Sequence, residues 1–349
     1  MKKERLFYLD FVRAIAAISI VITHFNARYL YLNPPMPEKA VITTTVSNIY
    51  IGAWGVSLFF IISGAALMYV YEEKCELKVF YKKRFLNIYP MFWIAYFFAF
   101  CYLFYTNKMV PGVGAPKVNF LFTILGFDGL LAENIPTFYI LGEWFLGAII
   151  LMYLIFPILR SGINKRPLLT WIIILILYGW MIVGYHYNFN SSKIILTRLP
   201  EIVFGMCFVK NKAKVNWKIA VTSIVLLIAN SVIKPEWSMD LQTTYVGILS
   251  FLFLVYVSYF VKEKWSHAFC GLVSKYSYAI FLVHHVIIAK MMSTFDLGSM
   301  SKLHSYALFV TICIVISFFA GLLYELHGRM MKFITCMSEK NDHSIVGKS

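Results

Sequence analysis

Arg13 and His24 stand eleven residues apart inside one hydrophobic run, Leu6 to Leu32. On a helix turning 100° per residue they differ by only about 20° in direction and lie roughly 16 Å apart, so a cation and an imidazole share one face. Polar side chains are costly in lipid and are retained where they have a partner or a task. A guanidinium suits paired phosphate or carboxylate oxygens. An imidazole, with an unperturbed pKa of about 6.5, can take a proton from a hydroxyl and return it, or itself carry an acyl group. Asp10 precedes Arg13 by one turn.

Other residues could join this chemistry. Lys82, Lys83 and Arg84 form a second basic cluster, at the start of the third hydrophobic run. Glu143, followed by Trp144, opens the fourth run at a depth expected to match His24, where a carboxylate would orient the imidazole or grip an acceptor. Arg198 and Glu201 lie one turn apart in the sixth run and are expected to shape the acceptor pocket. Each also has a structural reading. Asp10 with Arg13 can be a helix-end ion pair, His24 a histidine bonded to a carbonyl, and Lys82 to Arg84 markers of topology alone. Glu143 with Trp144 can be an interfacial anchor, and Arg198 with Glu201 a structural pair. Ser63 and Gly64 permit close helix approach or clear a path for an acyl chain. His284 and His285 read as packing residues.

The positioning elements must be membrane helices. Of 349 residues, 60% are hydrophobic and 14% charged, and the mean hydropathy is +0.71, which places the chain outside ordinary soluble domains. We read an all-α polytopic bundle with about ten spans, at 7–31, 49–71, 86–106, 139–159, 168–187, 194–209, 218–233, 242–261, 277–293 and 305–324. Residues 1–335 are expected to form a single membrane domain, and 336–349 a short disordered cytoplasmic tail. Most of the 32 basic residues fall in alternate connectors, around Lys2 to Arg5, Lys74 to Arg84, Arg160 to Arg166, Lys210 to Lys218, Lys262 to Lys275 and after Arg329. That pattern predicts both termini on the cytoplasmic side of a multi-pass cell-membrane protein.

The net charge of +15 is thus mainly topological, and its dispersal over short loops argues against nucleic acid as a partner. The first run is too long for a signal peptide and is expected to be retained. Six cysteines without C-x-x-C spacing indicate neither a metal site nor a disulfide framework. The connector from Asn107 to Phe138 is rich in Pro and Gly but apolar in its middle, which suggests a lid or a partly re-entrant segment.

Five motifs in order resemble the acyltransferase type 3 family of integral membrane acyltransferases. They are Leu9-Asp10-Phe11-Val12-Arg13 with His24, Phe59-Phe60-Ile61-Ile62-Ser63-Gly64, Lys83-Arg84-Phe85-Leu86-Asn87-Ile88-Tyr89-Pro90, Gly142-Glu143-Trp144-Phe145-Leu146, and Tyr276 through His285. The resemblance implies transfer of an acyl group, commonly acetyl, from cytoplasmic acetyl coenzyme A to a hydroxyl of an envelope glycan or small molecule. The family commonly has a second arginine where Asn87 stands here.

Read together, Asp10, Arg13, Lys83 and Arg84, with Ser63 along the path, are expected to hold the donor at the cytoplasmic mouth. His24 and Glu143 are expected to carry the chemistry, and Trp144, Arg198 and Glu201 to contact the acceptor. The partners expected are an envelope polysaccharide, the bilayer and glycan assembly machinery, with no metal. Two other classes share some of these features: a glycan or lipid-linked intermediate flippase, and a non-catalytic partner of a glycan assembly machine.

Overall fold

Backbone amides in lipid must be satisfied within their own segment, and long apolar runs therefore become helices. The computed structural model describes residues 4–112, 114–142 and 144–346, with side chains as far as 334. The elements are α1 (Phe7–Leu30), α2 (Ile51–Tyr71), α3 (Leu77–Asn107), α4 (Phe120–Leu125), α5 (Asp128–Leu131), α6 (Trp144–Lys165), α7 (Pro167–Val183), α8 (Ile195–Lys210), α9 (Trp217–Ile233), α10 (Met239–Ser258), α11 (Lys264–Met292) and α12 (Lys302–Val346). A two-residue antiparallel pair, β1 (Thr45–Val46) with β2 (Ile49–Tyr50), lies between α1 and α2. The fold is an all-α membrane bundle.

Each hydrophobic run of the sequence lies on a helix. Seven of the described helices are long and apolar enough to cross a membrane, α7 and α9 are apolar but only 17 residues long, and α8 carries the buried charges Arg198 and Glu201. The tail expected from residue 336 lies where side chains are outside the described residues.

Two helix pairs organise the bundle. α1 and α11 run side by side in the same direction, since Asp10 meets Ser274 at one end and His24 meets His284 and His285 further along. α2 and α8 cross at Gly64 and Gly205. A Cβ on Gly64 would stand 2.2 Å from the Ile202 carbonyl oxygen, and one on Gly205 would stand 1.9 Å from that of Ile61, so backbone packs on backbone.

The basic connectors gather at the Asp10 end. Tyr69 donates to the Glu4 carbonyl at 2.7 Å, Arg5 to that of Gly271 at 3.3 Å, and Lys210 to that of Ile163 at 2.8 Å. Arg160 donates to the carbonyls of Tyr71 and Glu72, which answers the acceptors left open where α2 ends.

The His24 end is covered by connectors. The Asn26 amide donates to the carbonyls of Val41 and Thr43 at 2.9 and 3.0 Å, while its oxygen accepts from the Val41 amide at 2.8 Å. This buried group is fully satisfied and pins the α1–α2 loop over α1. The long connector carries α4 and α5 and is tied to α3. Tyr89 donates to the Leu125 carbonyl at 3.0 Å, Trp93 to that of Ile124 at 3.0 Å, and Tyr96 to that of Phe138 at 2.5 Å.

Candidate active site

At the Asp10 end, the carboxylate accepts from Arg5 on one oxygen and from the Ser274 hydroxyl, at 2.6 Å, on the other. The hydrogen bond to Asp10 raises the Arg5 pKa further, and Arg5 lies outside the spans. Arg13 donates to the same Ser274 hydroxyl at 3.4 Å. Asp10 is therefore engaged by Arg5 and Ser274, and the direct contact of Arg13 is to a serine.

Arg84, from α3, lies against Tyr153 of α6. Its guanidinium carbon lies 5.4 Å from the Tyr153 ring centre and 5.7 Å from those of Tyr71 and Phe80, distances at which a cation is attracted to aromatic faces. Arg84 donates to the Tyr71 hydroxyl at 3.4 Å, while its buried Nε has no hydrogen-bond partner. Among the described residues neither Arg13 nor Arg84 forms an ion pair. Two half-buried guanidiniums thus lack an ion-paired carboxylate among the described residues, an arrangement suited to an anionic ligand. Lys82, Lys83 and Asn87 are exposed, and Ser63 is half-buried on α2.

Further along the α1 face that carries Arg13 is a cluster of histidines. The His24 ring centre lies 4.8 Å from that of His284 and 5.2 Å from that of His285, both edge-on. Fourteen residues of helix place this cluster about 21 Å from Asp10 at 1.5 Å per residue. Reading His284 and His285 as packing residues missed this convergence, because the spacing of a motif on α11 does not show which helix it faces. The described residues contain no group of three His, Cys, Asp or Glu side chains placed to hold a metal ion.

Gly142 lies against the cluster: a Cβ there would stand 2.6 Å from the His285 ring, and its φ of +76° is one that side-chain-bearing residues rarely adopt. Glu143, the next residue, lies outside the described residues. Trp144 begins α6 with the Lys193 ammonium 5.6 Å from its ring centre, and Lys193 pairs with Glu133 at 2.6 Å. Phe145 meets Phe60 at 5.1 Å and Phe281 at 5.9 Å, so aromatic rings from α2, α6 and α11 adjoin the histidines.

Arg198 and Glu201 are 2% and 0% exposed and pair at 3.3 Å. Arg198 also donates to the Ser192 carbonyl at 2.9 Å and lies over Phe60, whereas the second oxygen of Glu201 has no hydrogen-bond partner. An ion pair so deep, with one acceptor open, is costly unless a further donor completes it. Open hollows of about 500 and 340 Å³ lie beside Met291 to Thr311 and beside Trp54 and Leu227. Neither is lined by Arg13, Arg84 or the histidine cluster.

A family model described as an acyltransferase domain matches residues 6–325, nearly the whole chain. No curated protein and no solved structure matches it.

Proposed function

Since the chain belongs to the acyltransferase type 3 family, we propose that it moves an acetyl group from coenzyme A to a hydroxyl of an envelope glycan. In this reading the donor binds at the Asp10 end and the acceptor at the His24 end of one α1 face. The observation that carries this reading is the pair of half-buried arginines without an ion pair among the described residues, with a histidine cluster further along the α1 face that carries Arg13.

Arg13 and Arg84 bind donor phosphates, with Lys83 adding charge at the mouth and Ser63 flanking the path of the pantetheine arm. The gathering of basic connectors at this end supports placing it, and both termini, in the cytoplasm. All ten long helices then serve as spans. His24 either takes the proton of the acceptor hydroxyl as it attacks the thioester carbon, or attacks that carbon itself and passes the acyl group on. In both routes the C–S bond breaks and the thiolate leaves with one proton, so the products are an ester and free thiol. Glu143 is assigned the task of orienting the imidazole or gripping the acceptor, and Trp144 that of contacting the acceptor. The open oxygen of Glu201 and the Arg198 guanidinium provide an acceptor and donors for sugar hydroxyls.

The test is thiol release by the purified protein given acetyl coenzyme A and a glycan acceptor. His24→Ala should reduce release by about 100-fold or more at equal protein abundance, the loss expected on removing a general base. Release within a few-fold of the parent would refute the role of His24.

A further inference from the structure

His284 is 1% exposed, and its Nδ1 lies 3.1 Å from the Ile280 carbonyl oxygen and 2.7 Å from that of Phe281. Carbonyl oxygens only accept, so these contacts assign the hydrogen of the neutral ring to Nδ1. Nε2 is then a bare lone pair. That atom is buried and has no hydrogen-bond partner among the described residues. A buried acceptor left open in this way calls for an explanation, and the neighbouring ring is that of His24, 4.8 Å away centre to centre with the planes at 62°. His285 differs: it is only half-buried, and Gly142 packs on its ring.

We propose that His284 is a positioning residue whose Nε2 accepts a hydrogen bond from the N–H of His24, fixing which His24 nitrogen presents its lone pair to the reacting atoms. The proposal rests on His24 being the reactive histidine. It holds for both chemical routes. If His24 is the base, it becomes an imidazolium when it takes the hydroxyl proton, and His284 stabilises that cation until the proton passes to the thiolate. If His24 is the nucleophile, its lone pair forms the N–C bond as the C–S bond breaks. The acylated ring is then a cation whose N–H stays bonded to His284 Nε2 until the acceptor hydroxyl attacks the acyl carbon and its proton passes to the thiolate, which restores neutral His24. Catalytic hydrogen bonds are often long before substrate is bound, and the proposed bond forms in the complex with substrate.

Two substitutions separate this role from mere anchoring of the ring. His284→Asn keeps an amide N–H near the position of Nδ1 and removes the acceptor, whereas His284→Gln places an amide oxygen near the position of Nε2. We expect His284→Gln to retain kcat within about tenfold of the parent and His284→Asn to lose about 100-fold or more, with KM for the donor unchanged in both. Coenzyme A affinity, set at the other end of α1, reports whether each variant is folded. Equal losses in the two variants, or no loss in either, would overturn the proposal. An active His24→Ala would overturn the reading beneath it as well, whereas an inactive His24→Ala beside two unaffected His284 variants would overturn only the role of His284.

Discussion

In the proposed function the chemistry turns on Arg13, Arg84 and His24, and the arginines allow a measurement independent of turnover. Among the described residues each hydrogen-bonds a neutral hydroxyl at a long 3.4 Å. Replacing either by Ala should weaken coenzyme A binding by about 1.5–3 kcal/mol, the usual loss for a charged hydrogen bond, or roughly 10- to 100-fold in Kd by calorimetry. Because both are proposed to hold one donor, the double variant should lose less than the sum of the two. Arg84→Lys should not restore affinity, since an ammonium lacks the flat fork that lies among Tyr71, Phe80 and Tyr153. Unchanged affinity in both Ala variants would leave these residues with a topological role alone. The Arg13–His24 face was legible because helical spacing is a property of one segment. The arrival of His284 and Ser274 was not, because it depends on which helices pack together.

The helices themselves were legible for a physical reason: lipid leaves an apolar run of some 20 residues few alternatives. Their pairing was less so, and the crossing of α2 with α8 shows why. Gly64 and Gly205 look like ordinary small residues in apolar runs until the helices are placed together, when each lies where the other helix leaves no room for a Cβ. Gly205→Ala gains about 1 kcal/mol of helix propensity but must push the helices apart, at about 1–3 kcal/mol. The steric cost is expected to dominate, lowering the thermal unfolding midpoint in detergent; a raised midpoint would contradict the tight crossing.

The α4–α5 segment offers a pH test. Burial pushes the Asp128 carboxyl from 3.8 up to about 6, against the opposing hydrogen bond from Thr123 at 2.7 Å. The folded form thus holds this proton to higher pH than the unfolded chain. The stability it contributes is complete below about pH 4 and is lost as pH rises through about 6. Asp128→Asn should therefore unfold at a higher temperature than the parent above pH 6 and converge with it below pH 4. A difference that shrinks as pH rises would show that the carboxylate is stabilised in the fold.

At the scale of the whole molecule, the proposed function requires the two ends of α1 to face different compartments. The basic connectors gather at the Asp10 end, and the histidines lie about 21 Å further along, from 14 residues at 1.5 Å each. Inside-out vesicles supplied with labelled acetyl coenzyme A and loaded with a glycan acceptor expose both assignments at once. The account predicts label on the glycan inside the vesicle, an equal amount of free thiol outside, and neither in vesicles bearing His24→Ala. Labelled product confined to the outside would contradict transfer across the bilayer, and movement of intact substrate without thiol release would contradict acyl transfer itself.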